Sequence, residues 1–426
     1  MSSPNTAAES IRGGFAGQLI ILGASVRALA ESAIRDGWAV HAADLFCDLD
    51  LQAIATTAVP VAHGTADGAT RYPWSLLAAA EGFPPSTAWC YTGAVENHPD
   101  LIDAIARVRP LAGNPGDVVR RLRDPVHLAA AARAAGLSFP ETMSSPDRIP
   151  LDGTWLVKPL AGAGGRGIRR WTRAVAADHT ADRANALHEQ HIWQRFMPGT
   201  ALSASFCFAE GFTRLLGVSR QLIGEPWCHA GPFAWCGAVA LHTTNGQPPV
   251  DNRLVDQLRR LGGILAERFQ PVGLVGVDLV VDAGGGVEVI EVNPRPTASM
   301  ELFERSAAGS IAGSHLAACG YATPARSRRE QPLPQPAWTW AKAVLFAAVP
   351  TPVSQPLIEC LTRETSPWTQ ADGGWPSLAD IPRPGQVIAA GAPVVTIFAA
   401  ASTTDDALAS LRDRVARIDT LLSARA

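Results

Sequence analysis

A chain of 426 residues is too long for a single hydrophobic core and calls for two to four domains. Apolar residues at 47% and charged residues at 18% describe a soluble globular protein, and a net charge of -3 supplies no basic field for nucleic acid. No run reaches the roughly 18 apolar residues of a membrane span, and Met1 to Gly17 lack the basic start and long apolar stretch of a secretory signal, so a cytoplasmic location with no membrane or nucleic-acid partner is expected.

Gln18 to Ser25 reads as a strand running into a glycine turn, Val26 to Asp36 as a helix closed by Gly37, and Trp38 to Ala43 as a strand ending at Asp44. This alternation predicts an open α/β domain. It also invites a nicotinamide-dependent dehydrogenase, but Gly23 is followed by Ala24-Ser25-Val26-Arg27-Ala28, where the dinucleotide fingerprint needs two more glycines. Ligands of such sheets meet the carboxyl ends of strands. Ser25, Arg27, Asp44, Glu96 and Asn97 hold such places, the last two after a strand-like Thr87 to Tyr91. Ser25 and Asp44 serve equally well as caps of a helix and a turn. Glu96 and Asn97 are weak substrate candidates.

Gly113-Asn114-Pro115-Gly116 opens a helix through Leu122, Asp124-Pro125 starts another that runs from His127 to Ala135, and Pro140 to Gly153 forms a connector. Trp155-Leu156-Val157-Lys158-Pro159 then reads as a strand ending in a lysine, followed closely by Gly162, Gly164, Gly165 and Gly167. Glycines let backbone N–H groups approach phosphate oxygens, and the lysine supplies a point charge for the same anion. The order rules out a P-loop, in which Gly-Lys-Ser/Thr opens a helix. A flexible turn is the competing reading; the acidic residues further along favour a nucleotide-phosphate flap.

Leu202 to Phe208 and Leu215 to Ser219 are strand-length apolar runs, and Arg220 and Gln221 after the second either face an acceptor substrate or simply end a strand. Asp251 caps a helix to Phe269 whose Leu254, Leu258, Leu261 and Leu265 are spaced for a core face. Gly273 to Val281 and Val287 to Val292 are joined by Asp282-Ala283-Gly284-Gly285-Gly286, a hairpin signal. Antiparallel pairing brings Asp278, Glu291 and Asn293 together as three hard oxygen ligands, a set suited to Mg²⁺ and also to Mn²⁺. Solvated strand acids before a proline-rich turn are the alternative.

Beyond Gly320, Ala322 to Pro336 carries arginines and prolines, a linker signature. Strand-like Thr339 to Ala348 and Val387 to Phe398 and an amphipathic helix from Asp405 to Leu422 predict a small β-rich carboxy-terminal lobe, without the Met-Lys-Met of a biotinyl carrier. Seven scattered cysteines with no Cys-x-x-Cys pair argue against a disulfide scaffold or a zinc ribbon. Cys228-His229, Cys236 and His242 match no common metal template and read as partly buried side chains.

These parts in this order resemble the ATP-grasp superfamily: strand-Lys158-Pro159, the glycine-rich loop, Gln194-Arg195-Phe196-Met197-Pro198-Gly199, Asp278, and Glu291-x-Asn293-Pro294-Arg295. The resemblance is nearest to the biotin-carboxylase-like and purine-biosynthetic carboxylase branches. Ser219-Arg220-Gln221-Leu222-Ile223-Gly224 and Glu96-Asn97-His98-Pro99 also look like segments of carboligase-like ATP-grasp proteins tied to tetrahydromethanopterin-dependent one-carbon metabolism. It implies an α/β (α+β) architecture: a half-Rossmann preface at 1–112, an ATP-grasp domain at 113–320 with its flap at about 154–200, and a carboxy-terminal lobe at 337–426.

Residue by residue, the resemblance implies that Lys158 contacts ATP phosphates and Gly162, Gly164, Gly165 and Gly167 close over them. Gln194, Arg195, Phe196 and Met197 would meet the adenine, Asp278, Glu291 and Asn293 would hold Mg²⁺, and Arg295 would face an acyl phosphate or carboxylate. Arg220, Glu96 and Asn97 remain weak substrate contacts. One departure concerns the relatives' second phosphate-side lysine, in an Asp-Lys pair that here reads Asp124-Pro125. Arg120, Arg121 and Arg123 are nearby replacements, read here as solvated helix charges. The implied activity is an ATP-dependent ligase that activates a small-molecule carboxylate as an acyl phosphate for attack by an amine or similar nucleophile. Alternatives are a bicarbonate-using carboxylase and a non-catalytic nucleotide-binding regulator. A homodimer is the commonest assembly for such a chain.

Overall fold

The computed structural model describes residues 17–61, 72–184, 190–241, 250–306, 309–322, 338–365 and 375–424. Met1 to Ala16, His242 and the linker-like stretch from residue 323 to 337 lie outside the described residues.

The first sheet contains β1 (Gln18–Gly23), β2 (Ala39–Asp44), β3 (Thr57–Pro60) and β4 (Trp89–Tyr91), interleaved with α1 (Arg27–Arg35), α2 (Leu49–Ile54), α3 (Ser75–Glu81) and α4 (Pro99–Ala106). All its pairings are parallel, in the order β3-β2-β1-β4. Leu19 to Leu22 are buried on both faces, which is why β1 reads as an unbroken apolar run. Asp44 accepts backbone N–H bonds from Val26 at 2.6 Å and from Phe46 and Cys47 at 2.7 Å each, so it pins the start of α1 and the turn after β2. Ser25 is exposed and provides no side-chain cap to α1.

Two helices, α5 (Gly116–Arg123) and α6 (Pro125–Ala134), lead to a small sheet of β5 (Thr142–Met143), β6 (Asp152–Pro159), β7 (Arg169–Thr172) and β8 (His191–Arg195), in the order β5-β8-β6-β7, with α7 (Arg173–Ala184) between the last two in sequence. Trp155, Val157, Trp171, Trp193 and Ile149 give this unit its own core. A separate core lets it move as a body over the rest.

The central sheet takes β9 (Thr200–Ala209), β10 (Phe212–Ile223), β11 (Trp235–Leu241), β12 (Gly273–Val281), β13 (Val287–Asn293), β14 (Thr339–Phe346), β16 (Leu378–Ala379) and β18 (Pro393–Ala401) in the order β13-β12-β9-β10-β11-β14-β18-β16. A separate pair, β15 (Thr351–Pro352) and β17 (Val387–Ile388), lies outside it. The carboxy-terminal strands therefore prolong the central sheet through the β11–β14 pairing. Val387 to Phe398, expected as one strand, breaks at a turn where the Gly391 N–H donates to the Ala347 carbonyl at 2.8 Å. β10 also runs past Ser219 to Ile223.

Helices α8 (Asn252–Phe269), α9 (Glu301–Arg305), α10 (Ile311–Ala318), α11 (Gln355–Glu364) and α12 (Thr404–Ser423) complete the described elements. Asp251 caps α8 through the Arg253 N–H, and Leu254, Leu258, Leu261 and Leu265 are buried as their spacing predicts, each burial contributing about 1.5–3 kcal/mol. Arg27, expected near a ligand, instead joins elements: it pairs with Glu301 at 2.7 Å and Asp380 at 2.8 Å. Glu301 also pairs with Lys342 at 2.9 Å, so one buried carboxylate ties α1, α9 and β14.

Candidate active site

The hairpin pairs Asp278 with Glu291 directly. Asp278 faces Ser203 on β9, and Ser203 faces Ser219 on β10, so a row of polar side chains crosses four strands: Ser219, Ser203, Asp278, Glu291. Directly opposed residues share a face. Gln221, two residues on from Ser219 and on the same face, donates to Asp278 Oδ1 at 2.7 Å. Arg220 alternates to the other face and is not brought into this group. Burial first, then the facing Glu291, pushes the Asp278 carboxyl up to about 7. Burial would raise Glu291 as well, but the charges of Lys158 and Arg123 and its bonds to Asp278 and Asn293 hold it below the usual carboxylate range.

Asn293 presents its amide NH₂ to both acids, at 3.0 Å from Asp278 and 3.4 Å from Glu291, while its oxygen accepts from Arg295 at 3.3 Å. The sequence led us to expect three oxygens facing one point; instead the two close carboxylates draw the donor end of the amide. Among the described residues no group of three His, Cys, Asp or Glu side chains gathers as a metal site. The donor set still fits a hard divalent ion. Two half-buried, mutually repelling carboxylates are relieved by a cation, and an exchange of the amide ends would add the third oxygen.

Lys158 approaches from β6. Its Nζ donates to Gln194 Oε1 at 3.1 Å, and Gln194 Nε2 donates to Thr142 Oγ1 at 3.2 Å. Gln194 is buried, so its side chain orients the lysine. Beyond it Arg195 is exposed, Met197 half-buried, and Phe196 lies under the Arg170 guanidinium at 3.8 Å, with the Phe233 ring 6.4 Å away.

The glycine-rich loop is docked. Gly164 accepts the Trp235 N–H at 3.0 Å, and Gly162 accepts from Asn97 Nδ2 at 3.1 Å. Gly165 has φ +76°, and a Cβ there would stand 1.8 Å from the Phe233 carbonyl oxygen. Only glycine fits. Asn97, expected as a substrate contact, is thereby bonded to the lid.

Arg295 is half-buried and pairs with the buried Glu96 at 2.6 Å. Ala94, just before Glu96, has φ 73°, a left-handed conformation rare for alanine and of the kind stored at functional sites. The expectation that Arg120, Arg121 and Arg123 are solvated holds for two of the three. Arg120 pairs with Asp100 and Asp103, and Arg121 approaches Asp117, all at the surface. Arg123 turns inward, because Asn97 Oδ1 accepts from it at 2.8 Å. Sequence reasoning also left out Ser203 as a partner of Asp278; the alternation of Ser203 and Ser205 within an apolar strand was the available signal. The Cys228 and Cys236 thiols face each other in the core, and His229 is hydrogen-bonded to Asp419 at 2.9 Å.

Residues 123–299 match the family model described as an ATP-grasp domain. That segment is an ATP-grasp domain. No curated protein matches the sequence. Among solved structures, the chain is similar to the L-amino acid ligase from Bacillus licheniformis at 15% identity, with a TM-score of 0.65 over 95% of this chain and 97% of that one. It is similar to N5-carboxyaminoimidazole synthetase from Staphylococcus aureus complexed with ADP at 12% identity, TM-score 0.62, over 95% and 97%. It is also similar to the biotin carboxylase domain of the Hydrogenobacter thermophilus 2-oxoglutarate carboxylase, in complex with MgADP, ADP and bicarbonate, at 13% identity, TM-score 0.63, over 92% and 88%. At such identities these likenesses establish the ATP-grasp fold. No helix among the described residues is long and apolar enough to cross a membrane.

Proposed function

We propose that this ATP-grasp protein is an ATP-dependent ligase that activates a carboxylate as an acyl phosphate and passes the acyl group to an amine or similar nucleophile. The observation that carries the reading is a chain of contacts from the acids to the lid: Asn293 bonds Asp278, Glu291 and Arg295, Arg295 pairs with Glu96, and the adjacent Asn97 bonds the Gly162 carbonyl. The acidic pair and the glycine lid thus share one space. Two of the similar structures are complexes with ADP, and in one of those the ADP is a magnesium salt. In this reading residues 113–320 are the catalytic unit, 1–112 its preface and 337–426 its carboxy-terminal extension.

Mg²⁺ or Mn²⁺ held by Asp278, Glu291 and Asn293 would neutralise charge on the phosphate oxygens. Lys158, fixed by Gln194, and the amides of the Gly162 to Gly167 loop hold the phosphates in line, with Gln194 to Met197 along the base. Positioning and neutralisation are most of what phosphoryl transfer needs. The bond from the γ-phosphorus to the ADP oxygen breaks as one forms to a carboxylate oxygen of the substrate. Arg295, steadied by Glu96, presents a planar guanidinium to that anionic group. The nucleophile's nitrogen then attacks the carbonyl carbon, inorganic phosphate leaves, and the nitrogen loses a proton. The docked lid keeps water from the acyl phosphate.

The test is ATP-dependent phosphate release over pooled carboxylates and amines, with mass detection of the condensed product. Wild type releases phosphate and ADP with an acid and amine present, and Lys158→Ala and Glu291→Gln lose about a hundredfold or more. Undiminished release in both variants means the site is elsewhere. ADP release driven by bicarbonate without any organic acid assigns the chain to carboxylation instead, and nucleotide binding without turnover makes it a regulator.

A further inference from the structure

The space beneath the lid contains a cation to which the proposed mechanism gives no role. Arg123 ends α5, one residue before the Asp124 cap of α6. Its side chain is 20% exposed, against 44% for Arg120 and 41% for Arg121. Nη2 donates to Asn97 Oδ1 at 2.8 Å and points at the Leu160 carbonyl at 3.5 Å, while Nη1 stands 3.9 Å from Glu96 Oε1. Asn97 is itself fixed by its bond to the Gly162 carbonyl. The guanidinium is therefore tethered at both Leu160 and, through Asn97, Gly162, where the chain enters the glycine lid. A guanidinium has five N–H donors, and both of these bonds come from one nitrogen. Among the described residues Nε and Nη1 make no hydrogen bond, so donors remain beside Glu96 where Lys158's strand runs into the lid.

We infer that Arg123 is a phosphate-binding residue of the nucleotide site, held in position by Asn97. The inference rests on the nucleotide reading above and assigns to an arginine, two residues ahead of Pro125, the charge that Pro125 cannot supply. A planar fork suits two oxygens of one phosphate, and its link to the lid makes phosphate engagement and lid closure one event.

The experiment compares ATP, ADP and adenosine binding by calorimetry in wild type, Arg123→Gln and Arg123→Lys, with thermal melts as a folding control. Wild type binds ATP, and Arg123→Gln weakens ATP by about ten- to a hundredfold while adenosine affinity stays unchanged. Arg123→Lys recovers most of the loss because the charge returns. Equal weakening of ATP and adenosine would make Arg123 a strut of the lid and overturn the inference, as would wild-type ATP affinity in Arg123→Gln. If wild type binds no nucleotide, the ligase reading itself has failed, an outcome distinct from both.

Discussion

Asp278 shows how a single residue carries opposing demands. Burial and the facing Glu291 raise its carboxyl to about 7, yet Gln221, Ser203 and Asn293 all hold it in that position. A group kept where it is electrostatically strained is a group kept for chemistry. Asp278→Asn removes the like charge while preserving shape, and its expected effect is a gain of about 1–2 kcal/mol in the metal-free protein, with ADP formation reduced about a hundredfold or more. Urea unfolding and an ADP assay measure the two together; a variant no more stable than wild type would show that the pair is not strained. The pairing of Asp278 with Glu291 and the place of Lys158 on a strand before the glycines were legible in the sequence because each sits in a short local pattern of strand, glycine and turn. Gln221 was read as an acceptor contact or a strand end and Arg123 as a solvated charge, since their actual partners lie 57 and 26 residues away and no local pattern shows them.

At the scale of elements, glycine and alternation marked the flap and the β12–β13 hairpin, whose partners are neighbours in sequence. The same signals could not show that β14 pairs with β11, because an alternating strand declares a buried face and not its neighbour. The lid's docking is likewise a long-range fact. Gly165 abuts the Phe233 carbonyl, whereas Gly164, also at positive φ, would meet nothing within 4 Å. The two substitutions therefore separate backbone strain from loss of closure. Both Gly164→Ala and Gly165→Ala incur about 1–2 kcal/mol of left-handed strain, but only Gly165→Ala obstructs docking. The expectation is about tenfold weaker ATP binding and faster proteolysis of the loop for Gly165→Ala alone. Equal behaviour of the two variants would show that the contact with Phe233 does not hold the lid.

The whole molecule is tied together by buried polar groups at the joins between its sheets. Glu301 binds α1, α9 and β14, and His315 on α10 binds two further parts: Nδ1 accepts the Leu274 N–H of β12 at 2.9 Å, and Nε2 stands 3.0 Å from the Ala112 carbonyl beside the first sheet. That arrangement fixes the neutral tautomer, with the proton on Nε2 donated to Ala112. A second proton would land on Nδ1, against an N–H donor. Burial accordingly lowers the His315 pKa from 6.5 to about 4, despite the opposing bond to Ala112. The folded-state value is the depressed one, so between these limits the unfolded chain binds more protons and stability falls as pH falls. By pH 5 this single group removes about 2 kcal/mol relative to its contribution above pH 7. Urea unfolding from pH 7.5 to pH 5 measures it against His315→Gln, which is less stable throughout but lacks that titration. Wild type should lose about 2 kcal/mol more than the variant over this interval, and parallel pH profiles would mean that the histidine is charged in the folded protein and that the join between the first and central sheets is held in some other way.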